Sequence, residues 1–226
     1  MYKLISFDLD DTLWPCMPTI EAAEAKLYQW LQQHCADITQ TYTQDQLRDK
    51  RRQLMAEKKT LMHDLSAARL AHFEQLSNEF SLNPIWINEA FALYYTARQQ
   101  VVLYDDVLPV LQKLKPHYFL LALTNGNADI QLAGVGDLFH GQISAADVQA
   151  AKPDPAMFHK MMDDYQLSAA ECIHVGDHPV HDIQGAKNAG MSSIWLNRQQ
   201  QSWPLTERRA DYEINSLHEL PSLFSA

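Results

Sequence analysis

Two aspartates follow a short apolar segment near the N-terminus, at a spacing that suits chemistry. The segment Lys3–Phe7 predicts a buried β-strand that leads into Asp8 and Asp10. Because side chains alternate between the two faces of a strand, we expect both carboxylates to point the same way. Two such charges repel each other unless a cation lies between them. The pair therefore predicts a site for a divalent metal and a phosphoryl group, with a nucleophile and a proton donor two residues apart.

Further polar residues occur after later strands and in a later loop. The segments 118–124 and 172–176 predict buried strands, and a lysine lies in the loop before a predicted helix at 155–165. Parallel sheets bind ligands beyond the carboxyl ends of their strands, so these residues are expected to meet the aspartate pair. The residues are Thr124, Asn125, Lys152, Asp177 and Asp182.

The positions of the predicted elements indicate an α/β protein. Residues 18–98 show apolar side chains at helical spacing, whereas strands and helices alternate from residue 105 onward. We predict a doubly wound, Rossmann-like parallel sheet formed by residues 1–16 and 100–226, with an α-helical cap domain of residues 17–99 inserted after the first strand. The remaining predicted strands are 142–144, 193–196 and 212–214, and the remaining helices are 107–115 and 179–189. Asp154 is expected to cap the helix that starts at Pro155.

Composition narrows the class of protein. The 226 residues carry a formal charge of −10, which argues against non-specific binding to nucleic acid. Three cysteines without paired spacing are typical of reduced thiols, and no segment has the roughly 20 apolar residues of a membrane span. We therefore expect a cytoplasmic protein, monomeric or homodimeric, without nucleic-acid or membrane partners.

Four motifs together resemble those of the haloacid dehalogenase superfamily of hydrolases. They are FDLDDT, LTNGN, KPDP and VGDHPVHD, in that order along the chain. The four are specific in combination, and the position of the helical cap matches as well. The resemblance implies a Mg2+-dependent phosphatase that acts on a small phosphorylated metabolite through an aspartyl-phosphate.

The resemblance also implies roles for individual residues. Asp8 would be the nucleophile and Asp10 the general acid and base, while Thr124, Asn125 and Lys152 would bind the phosphoryl group. Mg2+ would be held by the Asp8 carboxylate, the backbone carbonyl of Asp10 and Asp177. Asp182 would lie behind them and orient Lys152 or a water on the metal.

Asp10 separates the activities within this superfamily. Dehalogenases resemble this fold but lack an acid at this position, because a halide leaves without a proton and an alkoxide needs one. Among phosphatases, the strings TNGNADIQLAGVGDLF and HDLSAAR resemble bacterial FMN phosphatases, also described as pyrimidine phosphatases of riboflavin synthesis. Alternatives are a sugar phosphomutase, which uses the same intermediate, and a non-enzymatic phospho-receiver or interaction module.

Four residues near or within the predicted cap are candidates for substrate binding, each with a structural alternative. Trp14 and Met17 form a wall for the leaving group or pack at a hinge. Arg69 lies in an apolar stretch, where it grips a substrate anion or forms a salt bridge between helices. His63 lies near Arg69 on the same predicted helix. His174, inside a predicted strand, is expected to be a core residue.

Overall fold

The chain forms two compact units in the computed structural model, which describes residues 1–206 and 209–224. The sheet unit comprises Met1–Pro15 and Val102–Ala226, and the helical unit comprises Cys16–Val101. The helical unit is thus an insertion after the first strand, which confirms the predicted α/β fold class. Within the described part of the chain, no helix combines the length and apolar character needed to cross a membrane.

Six parallel strands make up the sheet in the described part of the chain. In chain order they are β1 (Leu4–Phe7), β2 (Phe119–Thr124), β3 (Gly141–Ser144), β4 (Cys172–Gly176), β5 (Ser192–Leu196) and β6 (Tyr212–Ile214). Their spatial order is β3-β2-β1-β4-β5-β6, so the chain builds outward from β1 in one direction and then in the other. A ligand crevice is expected where the direction reverses, between β1 and β4. The carboxyl ends of these two strands carry Asp8 and Asp177.

The helical unit contains five α-helices packed around their own core. They are α1 (Cys16–His34), α2 (Ala36–Thr41), α3 (Gln44–Glu57), α4 (Leu65–Glu79) and α5 (Trp86–Arg98), with a 3-10 turn at Lys59–Leu61. Leu27 and Leu31 of α1 pack with Phe73 and Leu76 of α4 and with Tyr94 of α5. The apolar stripes read from the sequence therefore bury each other within this unit.

Short helices cover the sheet. They are α6 (Val107–Leu114), α7 (Ala145–Val148), α8 (Ala156–Tyr165), α9 (Gly185–Asn188) and α10 (Leu220–Leu223), with 3-10 turns at Gly136–Leu138, Ala169–Glu171 and Leu217–Glu219. Met157, Phe158 and Met161 of α8 are fully buried against Leu4 of β1 and Leu123 of β2. Both central strands that lead to the site are thereby anchored in apolar packing.

Two helices differ from the predicted ones, one in its start and one in its type. Pro155 precedes α8 rather than beginning it, and the Asp154 carboxylate accepts a hydrogen bond from the Ala156 N–H at 2.9 Å. The segment predicted as one helix at 179–189 begins as a π-helix, Pro179–Gln184, and continues as α9. Its first turn is wide because the His178 carbonyl accepts from the Ile183 N–H, five residues on, at 3.4 Å.

A buried carboxylate ties the C-terminal part of the sheet unit to the loop that follows β1. Asp106 is 5% exposed, and both of its oxygens accept hydrogen bonds from Arg198 at 2.9 Å. The Ser216 hydroxyl and the Leu217 N–H each donate to Asp106 Oδ2 at 2.8 Å. Arg198 also donates to the Thr12 carbonyl at 3.0 Å. One ion pair thus braces the loop that carries the catalytic candidates.

A backbone hydrogen bond joins the two chain segments that flank the insertion. The Tyr104 N–H donates to the Leu13 carbonyl at 3.0 Å, and both residues belong to the sheet unit. The sheet unit therefore holds the two ends of the inserted segment together with its own atoms.

Replacing Asp106 by Asn should destabilise the sheet unit most strongly above the ordinary carboxyl pKa. Burial opposes the charge of Asp106, but hydrogen bonds from Arg198, Ser216 and Leu217 outweigh it and hold the pKa below its usual 3.8. We expect Asp106→Asn to lower the free energy of unfolding by about 2 kcal/mol near neutral pH, measured by urea denaturation. Because the folded-state pKa is depressed, the deficit is complete above the unfolded-state pKa and disappears as the pH falls through the folded-state value.

Asp105→Asn is the matched control, since Asp105 is the exposed neighbour of the same type. We expect its unfolding midpoint to stay close to wild type across the same pH range. A deficit for Asp106→Asn that persisted unchanged in acid would contradict the role of its ionised carboxylate.

Candidate active site

The two aspartates at the end of β1 lie at one cleft of the sheet unit. The Asp8 N–H donates to the Val175 carbonyl of β4 at 2.9 Å, which extends the sheet by one residue. Asp8 is 8% exposed, and Asp10 is half-buried. The indole N–H of Trp14 donates to Asp10 Oδ1 at 2.9 Å and so orients that carboxylate.

Lys152 is the cation of the site and is almost completely buried. Its ammonium group donates to Asp8 Oδ1 at 2.7 Å, to Asp182 Oδ1 at 2.6 Å and to the Leu123 carbonyl at 2.7 Å. An ammonium has three N–H donors, and each has a partner here. Burial opposes its charge, but Asp182 and Asp8 outweigh that penalty and raise the pKa of Lys152. The side chain is therefore a charged and rigidly held neighbour of Asp8.

The residues after β2 position the loop that carries Lys152. The Asn125 amide donates to the Lys152 carbonyl at 2.9 Å and accepts from the Lys152 N–H at 2.7 Å. Thr124 is buried, and its hydroxyl accepts from the Gly126 N–H at 2.9 Å. Asn125 thus fixes the main chain of Lys152, and its predicted contact with a phosphoryl group stays a prediction.

Asp177 and Asp182 approach the same cleft from β4 and the π-helix that follows. Asp182 Oδ2 accepts from the His178 N–H at 2.9 Å, while Oδ1 faces Lys152. Gly176 makes this approach possible, because a Cβ added there would lie 2.3 Å from the Asp182 Cγ. The Thr12 hydroxyl lies 3.4 Å from Asp177 Oδ1 and donates to it.

The carboxylates of the cleft divide by charge environment. Burial, followed by the nearby charges of Asp182 and Asp11, raises the pKa of Asp177 to about 7. Burial also raises the pKa of Asp8, and the attraction of Lys152 only partly offsets it. For Asp182, Lys152 and His174 outweigh burial and lower the pKa. Asp182 is thus stabilised in its ionised form by Lys152, while the negative charges of Asp8 and Asp177 are poorly compensated.

The acidic groups fit a divalent cation. One oxygen each of Asp8, Asp177 and Asp182 lie within 4.8 Å of one another. Carboxylate oxygens are the ligands that Mg2+ prefers. A cation beside Asp8 and Asp177 would stabilise their ionised forms, which burial and the neighbouring carboxylates disfavour. Both oxygens of Asp182 already accept hydrogen bonds, which suits it to a place behind Asp8 and Asp177.

Three histidines near the cleft were not among the predicted site residues. His178 and His181 line the cleft together with the catalytic candidates, and their rings stack with centroids 3.9 Å apart. His174 is completely buried in β4 and contacts Asp182. The spacing inside the VGDHPVHD string was the available signal for the first two. His174 is a core residue, as predicted, but it has a polar partner in the site.

The remaining residues predicted to contact substrate are divided between the two units. Trp14 is completely buried in the sheet unit, where its indole serves Asp10. Met17 lies in the first turn of α1 and is about half exposed. His63 is half-buried in the loop before α4, so the prediction that it shares a helix with Arg69 is wrong. Met17 and His63 belong to the helical unit, and their contact with substrate stays a prediction.

Arg69 is 3% exposed and forms a salt bridge between two helices of the helical unit. Its guanidinium donates to Glu24 Oε1 of α1 at 2.6 Å and lies 3.3 Å over the ring of Tyr94 on α5. Arg51 donates to the same Glu24 oxygen at 2.9 Å. The structural alternative stated for Arg69 is therefore present, whereas a grip on substrate stays a prediction.

Comparisons with known proteins agree with this geometry. The model of the haloacid dehalogenase-like hydrolase family matches residues 2–190. The 5-amino-6-(5-phospho-D-ribitylamino)uracil phosphatase YigB of Escherichia coli K12 is 26% identical over 97% of this chain and 94% of its own length. The N-acylneuraminate-9-phosphatase of Mus musculus is 29% identical over 72% of this chain and 69% of its own length.

A solved structure shares the complete fold. The crystal structure of a 2-haloacid dehalogenase from Pseudomonas syringae pv. Tomato DC3000 superimposes with a TM-score of 0.93 at 35% identity, covering 100% of this chain and 99% of that one. That name describes the activity of the Pseudomonas protein. The present chain has an aspartate, Asp10, two residues after Asp8. The chain therefore belongs to the haloacid dehalogenase-like hydrolase family, as one of its phosphatases.

Proposed function

We propose that this phosphatase hydrolyses a small phosphorylated metabolite through an aspartyl-phosphate formed on Asp8. The observation that carries the proposal is the buried contact of 2.7 Å between Lys152 Nζ and Asp8 Oδ1, in a cleft shared with Asp10 and Asp177. Lys152 favours the ionised form of Asp8, and a carboxylate in that form needs no base to become a nucleophile. Lys152 holds one oxygen of Asp8 and thereby fixes the orientation of the other.

In the first step, the Asp8 oxygen that Lys152 does not hold attacks phosphorus. The bond from phosphorus to the ester oxygen breaks, and Asp10 gives its proton to the departing alkoxide. The Trp14 indole, 2.9 Å from Asp10 Oδ1, holds that carboxyl group in place during the transfer. Lys152 offsets part of the charge that Asp8 and the phosphoryl group share.

In the second step, Asp10 acts as a base. It takes a proton from the water that attacks phosphorus, the aspartyl-phosphate bond breaks, and Asp8 is regenerated with release of inorganic phosphate. The same side chain thus serves as acid and then as base, which requires it to be near the reacting atoms in both steps.

Mg2+ is the proposed metal, held by Asp8, the backbone carbonyl of Asp10 and Asp177. When bound, it supplies positive charge to the phosphoryl oxygens and aligns them with the nucleophile. The closeness of the Asp8 and Asp177 oxygens supports this assignment. Thr124 and Asn125 are proposed to contact the phosphoryl group from the end of β2.

The helical unit is proposed to act as a cap domain that selects the substrate. Sequence strings in both units resemble FMN phosphatases, and the Escherichia coli relative is a phosphatase of a ribitylaminouracil phosphate. We therefore propose a phosphate of the riboflavin pathway, or FMN itself, as substrate. Met17, His63 and Arg69 of the helical unit, with Trp14, are the residues proposed to influence that choice.

A phosphate-release screen tests the substrate class. We expect 5-amino-6-(5-phospho-D-ribitylamino)uracil or FMN to give the highest kcat/KM in a panel with sugar phosphates, nucleotides and pyridoxal phosphate. Asp8→Asn should abolish release from every member, because an amide is not a nucleophile here. The exposed Asp163→Asn, on α8, is a control for loss of a single charge and should retain wild-type rates.

Three results of the screen would contradict parts of the proposal. Phosphate release by Asp8→Asn at the wild-type rate would exclude the aspartyl-phosphate. Chloride release from 2-chloropropionate without phosphatase activity would indicate a dehalogenase. Transfer of the phosphoryl group to a second sugar hydroxyl would indicate a mutase.

Asp10→Asn distinguishes proton donation from a structural role. We expect kcat to fall about 10²–10⁴-fold on alkyl phosphates, whose leaving groups need a proton. The loss on p-nitrophenyl phosphate should be much smaller, because that leaving group departs as a stable anion. Equal losses on both substrates, measured under saturating conditions, would remove Asp10 from the acid role.

Asp177→Asn tests the metal assignment. We expect EDTA to abolish turnover and Mg2+ to restore it, with the half-saturating Mg2+ concentration raised about tenfold or more in Asp177→Asn. Calorimetric titration of Mg2+ into the metal-free protein should show the same loss of affinity without substrate. Asp163→Asn should bind Mg2+ as the wild type does, and an Asp177→Asn protein with unchanged affinity would exclude Asp177 as a ligand.

A further inference from the structure

A file of buried polar side chains runs behind Lys152. The Ser6 hydroxyl lies 2.8 Å from His174 Nδ1, and His174 Nε2 lies 3.2 Å from Asp182 Oδ1. Ser6 and His174 are completely buried, and Asp182 is 1% exposed. The apolar strands β1 and β4 thus contain a polar pair that leads to the lysine partner of the nucleophile.

The sheet register explains how this pair forms. Ser6 and His174 are partners in the pairing of β1 with β4. Ser6 lies two residues before Asp8, so both side chains point to the same face. The position of Ser6 is therefore set by β1, the same strand that leads into Asp8.

With Asp182 ionised and His174 neutral, the chemistry of the three groups gives the direction of each hydrogen bond in the file. The Ile173 carbonyl is a second acceptor near the Ser6 hydroxyl, but at 3.5 Å it is farther away than His174 Nδ1. An ionised Asp182 carboxylate only accepts, so His174 donates from Nε2. A neutral imidazole carries one N–H, so Nδ1 accepts, and the donor is the Ser6 hydroxyl. Ser6 thereby selects the tautomer of His174 that serves Asp182.

Asp182 is consequently held by three donors. Its Oδ1 accepts from Lys152 at 2.6 Å and from His174 at 3.2 Å, and its Oδ2 accepts from the His178 N–H at 2.9 Å. The carboxylate cannot rotate without breaking at least one of these bonds. Lys152, in turn, lies between Asp182 and Asp8 and depends on the placement of the former.

We propose that Ser6 and His174 are positioning residues for the phosphatase reaction, acting through Asp182 to direct Lys152 at Asp8. This assignment rests on the proposed role of Asp8 as nucleophile. Neither residue touches the cleft, so both act on the rate of the chemical step rather than on substrate binding.

Paired substitutions separate positioning from packing. His174→Gln keeps an amide N–H near the position of Nε2, whereas His174→Leu removes the donor and keeps the bulk. We expect kcat to fall about 10–100-fold in His174→Leu with KM unchanged, and His174→Gln to recover most of that loss. Ser6→Ala should lower kcat to a lesser degree, and its effect should shrink in the His174→Leu background because the two residues act in series.

Ser193→Ala is the matched control for Ser6→Ala. Ser193 is also a completely buried strand serine and pairs with His174 from β5, but its hydroxyl lies 3.5 Å from Asp211. We expect its kcat to match wild type. Long-range 1H–15N spectra of the metal-free wild type should show His174 protonated at Nε2 only, and Ser6→Ala should weaken that preference.

Each outcome bears on one proposal. An Nδ1–H tautomer or an imidazolium in the wild-type spectrum would overturn the positioning role. A wild-type kcat in all three variants, Ser6→Ala, His174→Gln and His174→Leu, would overturn it as well. If His174→Leu fails to fold, the tautomer spectrum and Ser6→Ala decide the question. An active Asp8→Asn variant would refute the proposed function instead. The wild-type spectrum would then still test the hydrogen bonds between Ser6, His174 and Asp182.

Discussion

The site depends on one buried ammonium group between two carboxylates. Lys152 bonds to Asp8 at 2.7 Å and to Asp182 at 2.6 Å, and burial makes each of these contacts strong and their loss costly. Much of the surrounding structure serves this contact: Asn125 clamps the main chain of Lys152, and Gly176 leaves space for Asp182. The reversal of strand order beside β1 brings the separate segments to one edge of the sheet.

The parallel sheet and the gathering of the predicted residues at one of its edges were accessible from the sequence, because each depends on local pattern. Apolar strands ending in polar residues predicted where side chains would gather, and the structure brings Asp8, Lys152, Asp177 and Asp182 together as that pattern required. The partners of individual polar atoms were not accessible. Asn125 bonds to the Lys152 main chain, a contact between segments 27 residues apart that no local pattern encodes. Strand register, likewise, was needed to pair Ser6 with His174.

Charges within the helical unit show the limit of inference from residue type. An arginine in an apolar helix indicates a partner but does not name it, and the structure supplies Glu24 and Tyr94 for Arg69. Glu24 in turn is shared by two guanidinium groups, whose attraction outweighs burial and lowers its pKa. Arg69 and Glu24 thus form their interactions within the helical unit. Under the role proposed for the helical unit, the choice of substrate depends on which of its residues also contact a ligand.

The hydrogen bond from the Tyr104 N–H to the Leu13 carbonyl has a consequence for how such proteins diversify. The sheet unit itself joins the two points where the chain leaves it and returns. The inserted segment is therefore not needed to hold these two points together. The entropic cost of lengthening a loop whose ends are already fixed grows only slowly with its size. An insertion at this point can therefore change in length or sequence while Asp8 and Lys152 keep their geometry in the sheet unit.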